Sequence, residues 1–354
     1  MIRRARVYDE SDARIRPNPK GSRPRTKDRP THLDAVVGTV LGVDRGRYPV
    51  AVDGRIVTAM KAREIGRRGV VVGDRVGVVG DVTGQPGSLA RIVRIEPRRS
   101  VLRRSADDVD PVERVIVANA DQLAIVTAVA DPPPRTRMID RCLVAAYDAG
   151  MQPLLVLTKA DLADPEPLYR IYADLGVPCV VTSFQPCTGT IAGLVGLTER
   201  LQSQVSVLIG HSGVGKSTLV NALVPGAYRA IGEVNEVTGR GRHTSTSAVA
   251  LALPGDRPPP TGEAGALGYA GDGWIIDTPG IRSFGLAHIR PDRFVTHFPE
   301  LTNGLDQCPR GCSHDEPDCG LDDWVASGHA GPSGRARLNS LRRLLRSRAG
   351  GQED

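Results

Sequence analysis

The sequence predicts a multidomain chain: a small N-terminal β-barrel, a central α/β layer on a mostly parallel sheet, and a C-terminal metal-holding knuckle with helices. Three observations predict it. Short Val- and Gly-rich runs broken by tight turns fill residues 34 to about 96. From about Arg114 buried strand runs alternate with helical periodicity. Cys308, Cys312, His314 and Cys319 then crowd into twelve residues. A length of 354 residues suffices for two or three domains.

Composition narrows the class. Hydrophobic residues make up 40% and aromatics only 4%, so the cores must be built from Val, Leu, Ile and Ala. No run of 18 apolar residues exists, so no membrane span is expected. The basic N-terminus is not followed by an apolar stretch, unlike a secretory signal, and a cytoplasmic location is expected. A net charge of +6 and a pI near 9.1 favour a polyanionic partner, RNA foremost. Cys142, Cys179 and Cys187 are scattered and are expected to be small buried or half-buried residues.

Residues 1–33 hold ten Lys or Arg, several prolines and almost no apolar pattern, which predicts a disordered basic arm. Residues 34–100 carry the barrel. Its runs are Ala35–Val40, Tyr48–Val52, Gly69–Val76 and Leu89–Ile95, with turns at Asp53-Gly54, Gly80-Asp81 and Pro86-Gly87. About five short strands fit the oligonucleotide/oligosaccharide-binding (OB) fold, although the pattern also admits an SH3-like barrel. Arg45, Arg47, Arg55, Lys61, Arg63, Arg67 and Arg68 cluster near its loops as a phosphate-contacting face. Residues 112–286 carry the α/β layer. Leu123–Ala128, Leu154–Leu157, Val205–Ile209 and Trp274–Ile276 read as buried strands, and Met138, Ile139, Cys142, Leu143 and Ala146 share a helical face. Pro254–Gly273 reads as an exposed loop. Residues 287–350 hold the Cys/His cluster and a helix near 334–348, its leucines packed on the knuckle and its arginines facing solvent or RNA.

Gly210-His211-Ser212-Gly213-Val214-Gly215-Lys216-Ser217-Thr218 matches G-x-x-x-x-G-K-[ST], between a strand ending at Ile209 and a helix running through Leu223. Glycines let the backbone wrap a phosphate with its N–H groups pointing inward. Lys216 is expected to bridge the β- and γ-phosphates, and the Ser217 hydroxyl to hold Mg²⁺. Asp277-Thr278-Pro279-Gly280 follows a second buried strand. Asp277 is placed to hold the magnesium through water, and the Gly280 N–H to meet the γ-phosphate.

The base is read elsewhere. Guanine offers two adjacent donors, N1–H and its exocyclic amine, and one carboxylate accepts both. Thr158-Lys159-Ala160-Asp161 ends the strand at Leu154–Leu157 and resembles the N-K-x-D signature of guanine-nucleotide proteins, with Thr in place of Asn. Asp161 is the reader, and the Lys159 stem covers the base plane. Thr182-Ser183 lines the base as a weaker fifth motif. Asp161 precedes Lys216, the reverse of the usual order, which predicts a circularly permuted domain because sheet neighbours do not depend on where the chain is cut.

Three thiolates and one imidazole make a tetrahedral Zn²⁺ set with no open position, one structural ion per chain. His297 and His329 are substitutes should the short gaps keep His314 away.

Together, the barrel, the permuted domain with its GHSGVGKST and DTPGIR motifs, and the knuckle resemble the ribosome small-subunit-dependent GTPase A family (RsgA/YjeQ) over residues 34 to 346. Ala118-Asn119-Ala120-Asp121-Gln122 is similar to that family's domain start. In the knuckle, Cys308-x3-Cys312-x-His314-x4-Cys319, the first and last gaps are each one residue shorter than the family's, and the loop at 254–273 is longer. The resemblance implies a GTPase acting late in assembly of the small ribosomal subunit and stimulated by it; rRNA is the expected partner, Asp161 predicts GTP and GDP as ligands, and a monomer is expected. The resemblance also implies that Gly239–Thr246 is the switch, with His243 orienting water. Ile281 stands where a water-orienting Gln would be, so the isolated protein should be slow. Two other functions share these motifs: an ATP-dependent P-loop enzyme, which Asp161 opposes, and a nucleotide-dependent RNA chaperone without significant turnover.

Overall fold

The computed structural model describes residues 32–66, 69–105, 113–227, 248–255, 273–278 and 294–348, and the chain from Asp34 onward is one compact unit. The barrel strands are β1 (Val36–Val40), β2 (Arg47–Val52), β3 (Arg55–Lys61), β4 (Arg75–Gly80) and β5 (Ala90–Ile95). They close in the order β1-β2-β3-β5-β4, with β4 antiparallel to β1 and β3 parallel to β5. That strand order is the OB arrangement, which settles the choice left open by the pattern. Val40, Val50, Val57, Val76, Val78 and Ile92 fill the interior, as period-2 alternation requires. Asp53 and Gly54 both take positive φ, the conformation a two-residue hairpin needs.

The run Gly69–Val76 is not one strand as expected. Gly73 takes φ +84, and a Cβ there would lie 2.0 Å from the Ala118 carbonyl oxygen, so the chain turns. Val72 is thereby freed to bridge Val117 in a hairpin of β6 (Val101–Ser105) and β7 (Glu113–Ala118) that the periodicity did not reveal. Asn119 locks the junction. Its amide donates to the Gly73 carbonyl at 2.8 Å, and its Oδ1 accepts from the Arg99 N–H at 2.8 Å.

The central sheet is built from β8 (Gln122–Ala128), β9 (Gln152–Thr158), β10 (Cys179–Val181), β13 (Val205–Gly210), β14 (Val249–Ala252) and β15 (Trp274–Asp277). Helices α1 (Thr136–Asp148), α2 (Glu166–Ala173), α3 (Leu194–Leu201) and α4 (Lys216–Leu223) alternate with them, and β11 (Ser183–Gln185) and β12 (Thr190–Ala192) form a side hairpin. The spatial order is β10-β9-β8-β13-β15-β14, parallel except for the β14 edge. The chain winds outward from β8 through β9 to β10, then returns to lay β13 against β8. The reversal of winding falls between β8 and β13, and in such sheets ligands bind at the carboxyl ends of the strands there. A chain begun at β13 would traverse the same sheet as β13, β14, β15, β8, β9, β10, which is the permutation expected from the motif order. The barrel adjoins the far edge: the Ala250 N–H donates to the Leu41 carbonyl at 2.8 Å, and Gly42 bridges Val249.

The C-terminal region holds α5 (Pro299–Thr302), α6 (Gly320–Ala326) and α7 (Gly334–Arg348). Leu338, Leu341, Leu344 and Leu345 of α7 are buried in one cluster with Phe294, Phe298 and α1 residues. Arg335 and Arg346 face solvent as expected, but Arg337, Arg342 and Arg343 are half-buried, contrary to expectation. Arg342 pairs with Asp322 and donates to the His314 carbonyl, Arg346 pairs with Asp315, Arg337 with Glu300, and Arg343 with the buried Asp140 of α1. Guanidinium forks on a helix that must grip its neighbours find carboxylates first. Cys142 is buried and Cys179 half-buried as expected, but Cys187, at the tip of the β11–β12 hairpin, is exposed.

Candidate nucleotide site and metal centre

The phosphate loop joins β13 to α4 at the winding reversal. Gly210 must be glycine because a Cβ would lie 2.6 Å from the Val126 carbonyl oxygen of β8. Gly213 and Gly215 take φ +84 and +89, so the backbone coils before α4 begins at Lys216. Val214 points into the core while its backbone stays in the loop, and Ser212 and Ser217 are exposed. His211 lies against the Ser212 carbonyl, Nδ1 to O 2.9 Å. The Lys216 ammonium, nearly buried, pairs with Asp277 at the end of β15 and donates to the Thr278 carbonyl at 2.7 Å. Strand register brings them together, since Leu208 of β13 lies beside Asp277. A lysine, a carboxylate and a helix N-terminus thus converge, the set that binds a phosphate chain with its cation.

At the end of β9 the second motif folds against the first. Thr158 is buried, and its hydroxyl donates to the Val214 carbonyl of the phosphate loop at 2.6 Å. The substituted residue is therefore a strut under the loop. Lys159 takes φ +58, and its ammonium reaches the Asp131 carbonyl, which pins the side chain. Ala160 donates its N–H to Thr182 at 3.2 Å, and the exposed Asp161 accepts from the Phe184 N–H at 3.0 Å. Ser183 starts β11.

These pieces line one cavity of about 270 Å³, which runs from Lys159, Asp161, Thr182 and Ser183 to Gly215, Thr218 and Leu219 of the loop and α4. Leu162, Phe184 and Ile191 complete its wall. Sequence reasoning missed these three. Phe184 directly follows Thr182-Ser183, and only the unseen β11–β12 pairing would have set it opposite Ile191. His243, the segment 239–246, Gly280 and Ile281 lie outside the described residues, as do Arg67, Arg68 and the arm 1–31.

In the knuckle, the ligand atoms of Cys308, Cys312, His314 and Cys319 all lie within 4.8 Å of one another. Cys308 Sγ is 3.6 Å from His314 Nδ1 and 3.9 Å from Cys319 Sγ. A tetrahedral ion with metal–sulfur bonds near 2.3 Å needs sulfur–sulfur edges of about 3.8 Å, so the spacing fits. His314 reaches the cluster by adopting φ +67, which absorbs the shortened gaps. The substitutes are otherwise engaged: His329 stacks on Trp324 and His297 on Tyr147. Burial, with the neighbouring Glu316 carboxyl and Cys319 thiol, pushes the Cys312 thiol up to about 12. Burial and the Cys319 thiol likewise raise Cys308, and burial lowers the His314 imidazole, which favours its neutral, metal-ligating form. Crowded thiols that resist ionising alone ionise readily around a cation, so the cluster can hold a metal ion.

A coiled phosphate loop and a guanine-matching motif on one cavity, in a sheet whose chain starts at the fourth strand of the usual order, define a circularly permuted P-loop GTPase. Comparison with known proteins makes this specific. The family model for RsgA GTPases matches residues 95–287. The small ribosomal subunit biogenesis GTPase RsgA of Ectopseudomonas mendocina (strain ymp) is 39% identical over 281 residues, covering 76% of this chain and 74% of its own. The crystal structure of YjeQ from Thermotoga maritima superposes with a TM-score of 0.61 at 27% identity, over 90% of this chain and 99% of that one. That of YloQ, described as a circularly permuted GTPase, gives 0.59 at 20% identity over 92% and 100%, a likeness of fold. The chain belongs to the RsgA GTPase family and is a GTP-hydrolysing enzyme.

Proposed function

We propose that this GTPase acts in late maturation of the small ribosomal subunit, binding the subunit's rRNA and hydrolysing GTP faster when docked on it. Relatives named small ribosomal subunit biogenesis GTPase support the subunit as partner. The observation that carries the chemistry is the single cavity running from Asp161 to the phosphate loop. Asp161 accepts guanine's two donors, Lys159 covers the ring and Ser183 lines it. The backbone from Gly210 to Thr218 wraps the phosphates, and Lys216 leaves Asp277 to bridge the β- and γ-phosphates. Ser217, and Asp277 through water, would hold Mg²⁺, which would offset the charge of the phosphates, while the Gly280 N–H meets the γ-phosphate and His243 orients the attacking water.

The division of labour follows residues 1–33 as a basic arm, 34–100 as the RNA-binding barrel, 112–286 as the GTPase domain and 287–350 as the zinc module. Arg45, Arg47, Arg55 and Arg63 stand exposed on the barrel, which supports its contact with phosphates. The Cys308–Cys312–His314–Cys319 cluster takes one structural Zn²⁺, because three soft thiolates and an imidazole in a closed tetrahedron suit zinc. The chain works as a monomer in the cytoplasm, and no helix among the described residues is long and apolar enough to cross a membrane. GTP turnover measured with and without purified small subunits tests the reading. Well under one turnover per second alone and a large rise with subunits are expected, and absence of any rise overturns the ribosomal role.

A further inference from the structure

We propose that Phe184 is a base-contacting residue: its ring forms the apolar wall on which the purine lies, so the β11–β12 hairpin is part of the nucleotide site. The inference rests on the guanine reading of Asp161 and extends it from Ser183, which opens the hairpin, to a neighbouring residue that no motif names. Phe184 is 47% exposed, unusual for a ring with apolar neighbours. It sits directly across the hairpin from Ile191, and both line the cavity that contains Lys159 and Asp161. The Phe184 N–H donates to Asp161 Oδ1 at 3.0 Å, which ties the backbone of β11 to the carboxylate, and both side chains line the same cavity.

The chemistry matches a purine. Asp161 reads an edge and offers nothing to a face. A flat, poorly hydrated ring gains most from an aromatic or aliphatic wall, and the cavity supplies the Lys159 stem from the β9 side and Phe184 from the hairpin side. The cross-strand pairs Ser183–Ala192, Phe184–Ile191 and Gln185–Thr190 close the hairpin, so the wall is held by a short element that lines the site.

Replacement of the side chain separates wall from carboxylate. Phe184→Ala keeps the backbone N–H and therefore the bond to Asp161, and removes only the ring. Titrating GDP into the full chain by calorimetry should show a dissociation constant raised on the order of tenfold in Phe184→Ala, the loss typical of one base–aromatic contact. Phe184→Trp should retain affinity and report GDP, but not ATP, by a fluorescence change that wild type lacks. Wild-type GDP affinity in Phe184→Ala, or an indole at 184 blind to GDP, overturns the proposal while the guanine reading stands. A wild-type protein that does not prefer GDP to ATP overturns the guanine reading, and this proposal with it.

Discussion

Thr158 shows how one substitution can keep a function by changing its chemistry. Asn in this motif brings an amide; Thr brings one hydroxyl, and its proton goes to the Val214 carbonyl in a buried bond. Thr158→Val removes that donor without changing size and strands a buried acceptor, at a cost of about 1–3 kcal/mol. GDP affinity measured by calorimetry should fall about tenfold or more, and Thr158→Ser should restore it; equal affinity in Val and Thr forms would show that the bond does not shape the loop. Asp161 makes a sharper case. Asp161→Asn puts a donor before guanine's donors, but xanthine carries a carbonyl where guanine carries its amine. The variant should lose GDP and gain xanthosine diphosphate, and retention of GDP preference would remove the case for base reading. Both sites were legible because motif chemistry fixes residue types at fixed spacing. The destination of the Thr158 proton was not, since Val214 lies 56 positions away in the chain.

At the scale of elements, what the sequence displayed was burial, and what it concealed was pairing. The parallel strands β8, β9 and β13 are continuous apolar runs, and α1 has one apolar stripe, so their existence followed from periodicity. The β6–β7 and β11–β12 hairpins are short and only partly buried, so no period marked them. The arginines of α7 misled for a related reason. A basic helix looks solvated until the carboxylates opposite it, Asp140, Glu300, Asp315 and Asp322, are known. Arg342 links the knuckle to α7 through His314 and Asp322, so metal and helix should loosen together. Metal analysis of freshly purified protein should give about one zinc per chain, and chelation should expose α7 to protease before the central sheet opens. Zinc-free protein with a protected α7 would contradict the coupling. Acid should act on the same latch. Hydrogen bonds from Arg342 and Arg346 hold the Asp322 and Asp315 carboxyls below the usual carboxylate range, so their contribution is complete above that range and is lost as pH falls through the lowered values. Proteolysis of α7 that is unchanged between neutral pH and pH 3 would show that these pairs contribute nothing.

Across the whole molecule, the barrel is not a tethered accessory. Asn119, which leads into the interior strand β8, and the Leu41–Ala250 bond at the β14 edge join it to the GTPase sheet at two places. Helix α7, which Arg342 ties to the knuckle, grips α1 through the Arg343–Asp140 pair. Nucleotide site, barrel and metal module therefore share one framework, and a surface large enough to contact the barrel and the knuckle together can bear on the cavity between the phosphate loop and Asp161. With exposed arginines concentrated on the barrel, docking on RNA should weaken steeply as salt rises. The central claim is that this one cavity both selects guanine and drives turnover on the subunit. Phosphate release from GTP and from ATP, measured for wild type and Lys216→Ala with saturating small subunits, tests it most directly. Release should be rapid from GTP and slight from ATP, and the GTP signal should be lost in Lys216→Ala while its melting temperature and subunit binding persist. Normal GTP turnover by Lys216→Ala, or equal turnover of ATP by wild type, would contradict it.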